Sequence, residues 1–447
     1  MVEKACHTAI RPYLPASRSH SFKVMKRLVV LGAGTAGTMV VNKLDRLLPR
    51  SEWEVVVVEP SLVHLYQPGL LFLPFGRYEP DDLVKPNQPL LPAGVSLIRA
   101  EVERIDTAAS QVLLVGHDPI DYDQLVIATG TTPRPDMTPG LDGPQMGKTI
   151  HEFYTLEGAM ALRQALSQWE GGRLVVHIVE LPIKCPVAPL EFAFLADDHF
   201  RQRGMRDRVE ITYVTPLSGA FTKPIAAHRL GDLLERRGIG LEPDFSVERV
   251  DEGALVSFDE RTVSFDLLVT VPVNMGADFV ARSNLGDELN HVKVDPGTFL
   301  ANGLGNVFAL GDAAALPTSK AGSVAHFAVD VFVENFLEHI AGRPMERRFD
   351  GHTNCFVETG NGKALLLDFN YTTEPLPGSY PLPGVGPLRL LKETRINHLG
   401  KLAFKPIYWH MLLPGRRLPV PIEMSMSGKD TRPVEPDPAI SKTEEKV

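Results

Sequence analysis

Apolar residues fall along the chain in two patterns. Short unbroken runs such as Leu28-Val29-Val30-Leu31, Val55-Val56-Val57-Val58 and Leu174-Val175-Val176 stop abruptly at a glycine or a polar residue. Runs of this length suit strands covered on both faces, as in a parallel sheet flanked by helices. Longer stretches, Thr38 to Leu48 and Leu190 to Arg203, carry their apolar residues at helical spacing.

At the start these pieces come in a fixed order. A strand over 26–31 is followed at once by Gly32-Ala33-Gly34-Thr35-Ala36-Gly37, then the helical stretch Thr38 to Leu48, then a strand over 53–58 that ends at Glu59. This is a βαβ unit with a dinucleotide fingerprint. Gly32 permits the tight turn, Gly34 lets the backbone approach a pyrophosphate, and Gly37 allows close helix packing. The helix N-terminus offers free N–H groups to the anion. Glu59, 22 residues after Gly37, is placed to bind a ribose hydroxyl.

A second strand-to-helix unit begins at Gly171-Gly172 and runs through Arg173 to Val179. Glycines belong next if a phosphate is to be bound there. Instead the chain reads Glu180-Leu181-Pro182-Ile183-Lys184-Cys185-Pro186, and no glycine occurs between Gly172 and Gly204. The backbone cannot approach a pyrophosphate closely, and Glu180 repels one. The unit is a dinucleotide fold without its phosphate loop. Cys185 stands where that loop would be, just before a helix whose first turn suits Pro186 and Pro189. A thiol near a helix N-terminus ionises more readily, and Lys184 beside it would help; a buried structural cysteine fits the position equally well. Glu191 and His199 lie eight residues apart on that helix, on one face, and either is a candidate proton carrier or an ordinary surface group.

After Gly342 the pattern becomes irregular. Thr353 to Tyr371 reads as a hairpin turning at Gly360-Asn361-Gly362, with Cys355 in its first strand. A Pro- and Gly-rich stretch from Glu374 to Pro387 reads as a linker. Leu388 to Pro419 mixes aliphatic and aromatic residues with basic ones. Between Arg389 and Arg417 seven Lys and Arg side chains stand against one acid, Glu393. The segment is too short to span a bilayer and suits helices lying in a membrane interface, divided in two by Pro406. A dimer interface or a helix packed on the core is the alternative. Residues 425–447 are polar and read as a disordered tail.

Composition narrows the function. Of the 447 residues, 44% are hydrophobic and 23% charged, enough for two or three globular units. A net charge of −9 argues against nucleic acid as a partner. The three cysteines, Cys6, Cys185 and Cys355, exclude a disulfide scaffold, and their spacing predicts no metal site. No apolar run reaches the length of a transmembrane helix. Residues 1–24 lack the apolar core of an export signal and read as a tail that leaves Cys6 outside the fold.

Two further strands end in small-residue turns, Leu125-Val126-Ile127-Ala128-Thr129-Gly130 and Val307-Phe308-Ala309-Leu310-Gly311-Asp312. Both resemble signatures of the flavoproteins with two dinucleotide-binding domains. Within that group, Lys184 to Glu191 resembles the Cys-Pro segment of flavocytochrome c sulfide dehydrogenases and sulfide:quinone oxidoreductases. Asn354-Cys355-Phe356 falls near the place of their second redox cysteine. Ser61 to Gly76 resembles their flavin-lining segment, and Thr318 to Gly322 the segment in which a lysine approaches the isoalloxazine.

The resemblance, which covers roughly 25–420, implies an α/β fold of two Rossmann-like domains and a membrane-associating C-terminal segment. An FAD domain would be built from 25–160 and 265–345, a second domain from 161–264 would be inserted in it, and a hairpin and amphipathic region would occupy 346–424. It implies FAD held by Gly32, Gly34, Gly37, Glu59, Tyr66, Pro68, Thr129, Gly130, Asp312 and Lys320. No cysteine occurs between Thr131 and Pro144, where many relatives carry one linked to flavin, so the FAD is expected to be non-covalent. The implied activity is sulfide oxidation through Cys185 and Cys355, with Cys355 facing the flavin, Lys320 stabilising its reduced form, and Glu191 or His199 moving protons. Membrane quinone would take the electrons near Phe404 and Tyr408. The enzyme would sit peripherally on the cytoplasmic membrane, or alternatively on the mitochondrial inner membrane, and a homo-oligomer is compatible with all of this. Rival functions are a single-subunit NADH:quinone oxidoreductase, the flavoprotein subunit of a sulfide dehydrogenase, and a persulfide sensor.

Overall fold

A computed structural model of the chain describes residues 25–432. The expectations for residues 1–24, with Cys6, and for 433–447 lie outside the described residues.

The first sheet has five parallel strands in the spatial order 307–309, 124–127, 26–31, 53–58 and 96–98. Its central strand, Lys26–Leu31, has its last four residues fully buried, as the unbroken apolar run requires. Helix α1 (Thr35–Leu44) follows and packs beside a long helix described below. It starts three residues before the helical stretch read from the sequence, because Gly34 rather than Gly37 serves as its N-cap.

The second sheet is also five-stranded and parallel, in the order 150–151, 267–271, 172–178, 209–214 and 239–242. Helices α2 (Leu156–Gln168), α3 (Ala188–Gln202) and α4 (Pro224–Arg236) belong to this unit. Its reach is wider than 161–264. Strand 150–151 and the wholly buried strand Leu267–Val271 hydrogen-bond within it, so the crossings between units fall nearer 132–134 and 273–275, which pair antiparallel.

A short helix α5 (Asp278–Arg282) and the strand 307–309 return the chain to the first unit. Then comes α6 (Gly322–Ile340), the long helix against α1. A buried ion pair, Lys43 Nζ to Asp330 at 2.6 Å, joins the two.

The expected hairpin is present as strands 353–360 and 363–369, with Gly360, Asn361 and Gly362 all at positive φ. The Pro-rich stretch behind it is not a linker. Strands 378–382 and 386–390 form a second hairpin, completing a four-stranded sheet. Pro381 and Pro387 face each other in the outer pair, where a missing N–H costs the sheet little.

Helix α7 (Arg395–Ile407) packs on strand 363–369 and is capped by Thr394, whose hydroxyl accepts the Asn397 N–H. Pro406 does not split the segment in two. It lies inside the last turn of α7, and the chain continues as a π-helical turn over Tyr408–Leu412. The proline cannot donate to the preceding turn, and the wider turn accommodates that loss. Residues 425–432 are not a loose tail either. Ser379 donates to Gly428 at 3.0 Å, and buried Lys429 pairs with buried Asp368 at 2.6 Å. Among the described residues, no helix is long and apolar enough to cross a membrane.

Candidate active site

A cavity of about 340 Å³ opens at the carboxyl ends of the first sheet. Residues that follow four of its strands line it: Gly32 to Ala36, Glu59, Ala128 to Thr131, and Leu310 to Asp312. The three fingerprint glycines each do a distinct job. Gly32 has φ +98°, and a Cβ there would lie 2.6 Å from the Ala128 carbonyl oxygen. A Cβ on Gly37 would lie 1.9 Å from the Gly32 oxygen, so only glycine lets α1 pack this closely. A Cβ on Gly34 would meet nothing within 4 Å, because Gly34 faces the cavity.

The cavity wall suits a dinucleotide. α1 and α6 both begin on it, and neither has a side-chain cap, which leaves their first N–H groups free for an anion. Thr155 and Thr394 cap α2 and α7, while α3, α4 and α5 lack side-chain caps as well. The hydroxyls of Thr129 and Thr131 are buried on this wall without partners, as if reserved for a ligand. Glu59 lines it and also braces the loop, accepting N–H bonds from Ala33 at 2.7 Å and Ser61 at 2.8 Å. Gly130 and Pro68 line it too. Tyr66 does not: it is turned behind the wall, its ring 5.0 Å from that of Tyr408, and Gln67 takes its place.

Lys320 and Asp312 meet at the cavity. Lys320 is buried and its ammonium donates to the Asp312 carbonyl at 2.8 Å and the Ala314 carbonyl at 3.1 Å. Burial lowers its pKa, with Asp312 and Asp287 opposing. It is therefore a held wall group rather than a solvated loop lysine.

The Cys185 segment is tied to the same place. Lys184 pairs with Lys320 as a parallel bridge, and the Cys185 N–H donates to the Lys320 carbonyl at 2.6 Å. Tyr154 Oη donates to the Cys185 carbonyl at 3.3 Å. Cys185 itself sits at φ +47°, a conformation that side chains other than glycine seldom adopt. Thus the crossover that carries a phosphate loop in nucleotide-binding units here delivers a thiol to the cavity wall.

Cys185 and Cys355 are both free thiols. They lie close enough for Cys185 to disfavour ionisation of Cys355. Cys185 lines the cavity, while Cys355 is buried and is not among the lining residues. The thiol pKa expected near a helix N-terminus is reversed. Burial, with Glu191 adding to it, pushes Cys185 up to about 12; Lys401 and the Ala188 N–H oppose this without prevailing. Cys355 is pushed up by burial in the same way.

Glu191 is fully buried beside the pair and lines the cavity. Its Oε1 takes a hydrogen bond from Lys401 Nζ and one from the Glu358 N–H at 2.6 Å, while Oε2 has no partner. Burial raises its pKa to about 7 against the pull of Lys401. His199 is not part of this group. Eight residues along α3 is about 12 Å of axial rise, and its ring packs between Phe75 and Phe200.

Lys401 is the residue the sequence concealed. Its charge belongs to the basic run read as a membrane-facing surface, yet its ammonium points inward to Glu191 and to the Phe356 carbonyl at 3.1 Å. Only its spacing from His398 and Lys405, one turn to either side, hinted at a polar face with a partner.

Tyr408 reaches the glycine loop from the C-terminal segment. Ala33 O can only accept, so His64 Nδ1, 2.9 Å away, carries the proton. His64 Nε2 then accepts from Tyr408 Oη at 2.6 Å, and Thr35 Oγ1 donates to Tyr408 Oη at 2.8 Å. Burial lowers the His64 pKa to about 4, consistent with this neutral ring. Phe404 stands nearby, 3.7 Å from where a Gly322 Cβ would be.

Residues 26–330 match the family described as pyridine nucleotide-disulphide oxidoreductase. The chain belongs to that family. Its members are FAD-dependent oxidoreductases, and the cradle above fits FAD. The mitochondrial sulfide:quinone oxidoreductase of Dictyostelium discoideum is 26% identical over 405 residues, spanning 88% of this chain and 87% of the relative. The sulfide-quinone reductase of Aquifex aeolicus is 25% identical over 305 residues, 65% of this chain and 69% of the relative. The solved structure of the Aquifex aeolicus sulfide:quinone oxidoreductase superposes with a TM-score of 0.75, at 20% identity, covering 88% and 92% of the two chains. It has the same fold.

Proposed function

We propose that the protein is a sulfide:quinone oxidoreductase in which Cys185 and Cys355 take up the sulfur. The observation that carries this is the meeting of two thiols, Glu191 and Lys401 at the edge of the FAD cavity, with Cys185 supplied by the crossover that lacks a phosphate loop. FAD, when bound, supplies a two-electron acceptor that a quinone can reoxidise.

In the working form the two cysteines are joined. HS⁻ attacks the S–S bond, which breaks; one sulfur becomes a persulfide and the other keeps the bonding pair as a thiolate. A buried thiolate with a pKa near 12 is a poor leaving group. The Lys401 ammonium offsets that by attracting the negative charge, and Glu191 Oε2 is free to receive the proton that sulfide brings. Tyr154 and the Lys320 carbonyl hold the Cys185 backbone in its strained geometry, so the sulfur stays aimed at the cavity. Gly34, Thr129, Thr131, Asp312 and the N-termini of α1 and α6 would hold the cofactor.

Quinone use and membrane attachment rest on α7. Its inward face is ionic: His398, Lys401 and Lys405 all meet carboxylates of the body. Its outward face carries Ile396 (40% exposed) and Leu399 (58% exposed), with Ala403 and Pro406 beyond. The adjoining hairpin tip exposes Leu382 and Val385. A helix polar toward its own protein and apolar toward the outside suits a lipid surface. Attachment is peripheral, on the cytoplasmic membrane, and Phe404 lies between that surface and the cavity wall at Gly322.

The test is anaerobic mixing of the FAD-loaded protein with sulfide, and separately with NADH, while the oxidised flavin band is followed. Sulfide should bleach it and decylubiquinone should restore it. Cys185→Ser and Cys355→Ser should each slow bleaching by sulfide at least a hundredfold while keeping FAD. Bleaching by NADH and not by sulfide would refute the proposal.

A further inference from the structure

Behind Glu191 the buried ions continue toward the surface. His398, Lys401 and Lys405 are spaced so that they share one face of α7. Lys405 ends on exposed Asp82, but the other two meet carboxylates inside the protein. Lys401 bonds Glu191, and His398 Nδ1 lies 2.8 Å from Glu358 Oε1 and 3.0 Å from Oε2. Glu358 is fully buried, and its own N–H is bonded to Glu191. The His398 side chain is 16% exposed, so this row begins at the cysteine pair and ends at solvent.

Glu191, Glu358 and Asp198 face Lys401 and Arg77, whose guanidinium lies 3.2 Å from Asp198 and 4.0 Å from Glu358. Glu358 is shared between Arg77 and the His398 imidazole, which stands at the outer end of the row. The other titratable or charged groups facing the row include Tyr78, Cys185, Cys355, His199 and Arg201.

We propose that Glu358 and His398 form the outlet through which the proton released at the cysteine pair leaves the buried site. The relay presupposes the sulfide chemistry proposed above. At the persulfide the S–H bond breaks, its electron pair stays on sulfur and its proton goes to Glu191; the other cysteine's thiolate then bonds to the outer sulfur as two electrons leave, which FAD, when bound, would accept and quinone would remove. Glu358 lies close enough to disfavour ionisation of Glu191, and the proton passes from Glu191 to Glu358 while Lys401 stays charged beside them. Glu358 gives its proton to His398 Nδ1, and His398 releases one from Nε2 to water. Glu358 and His398 touch no reacting atom; they act through Glu191.

The test uses FAD-loaded wild type, Glu358→Gln and His398→Ala, mixed anaerobically with sulfide across pH 5.5–9 in H₂O and D₂O. Glu358→Gln preserves shape in the buried position, and His398→Ala lies at the surface if the first fails to fold. Each variant should bleach about tenfold more slowly at pH 7, with a larger solvent isotope effect and an altered pH profile. Imidazole should restore His398→Ala. Reduction by dithionite should match wild type. Folded variants with wild-type rates and pH profile would overturn the relay alone. Failure of the wild type to bleach with sulfide would overturn the sulfide chemistry and the relay with it.

Discussion

Thr35 and Tyr408 are 373 residues apart in sequence, yet their hydroxyls are 2.8 Å apart. One begins the helix that faces the cofactor cavity, and the other ends the segment that faces outward. Tyr408→Phe removes the acceptor for half-buried Thr35 and the donor for buried His64, leaving both polar groups unpaired. The cost is about 1–3 kcal/mol, felt at the glycine loop. The FAD dissociation constant should rise about tenfold, measured by recovery of free FAD fluorescence on dilution. Unchanged FAD retention would show that the loop holds its shape without Tyr408.

Lys401→Met removes the cation beside Glu191. At pH 6 Glu191 answers by staying protonated, and the loss should be about 1–3 kcal/mol. At pH 8.5 the carboxylate must either take a proton or remain buried and unpaired, and the loss should approach 3–5 kcal/mol. Adding Glu191→Gln should recover most of it. Urea unfolding at the two pH values checks both statements; an equal loss at each pH would mean Lys401 contributes packing and not charge.

Glu191 makes a separate prediction about pH. Its pKa is raised from 4.5 unfolded to about 7 folded. The folded state therefore holds the extra proton between those values. The stabilising contribution is fully present below about pH 4.5 and is lost as pH rises to about 7, with no further change above. Relative to Glu191→Gln, the wild type should lose about 3 kcal/mol across that window. A stability difference independent of pH would place the Glu191 pKa near its ordinary value.

Leu399→Glu combined with Ile396→Glu places two charges on the outward face of α7. Binding to vesicles containing anionic lipid should fall at least tenfold, and turnover with a long-chain quinone should fall with it. Flavin bleaching by sulfide should not change, because neither residue reaches the cavity. Sedimentation with vesicles and a stopped-flow trace separate the two effects.

The sequence made the cofactor cradle readable because backbone geometry is written in residue type. Gly32, Gly34 and Gly37 can be replaced by nothing else without a clash or a blocked approach. Cys185 was readable by its place after a strand that lacked the expected glycines. Its partner was not: Cys355 lies 170 residues away in a strand, and only family resemblance joined them. The thiol pKa was misjudged because a helix N-terminus acts locally while burial depends on everything packed around the site. Lys401 was hidden for the same reason. A lysine in a basic run looks solvated until the carboxylate opposite it, contributed by another helix, is known. The strands at 378–390 were masked by prolines that an outer pair tolerates.

The walls of the FAD cavity are gathered from both ends of the chain, from Gly32 to Tyr408. A ribosome that has made the first sheet has therefore made only part of the binding site. The C-terminal segment must emerge and dock before Thr35 and His64 find their partner. Loading of the cofactor thus comes after synthesis, and a nascent or C-terminally truncated chain would be an apoprotein with an open glycine loop.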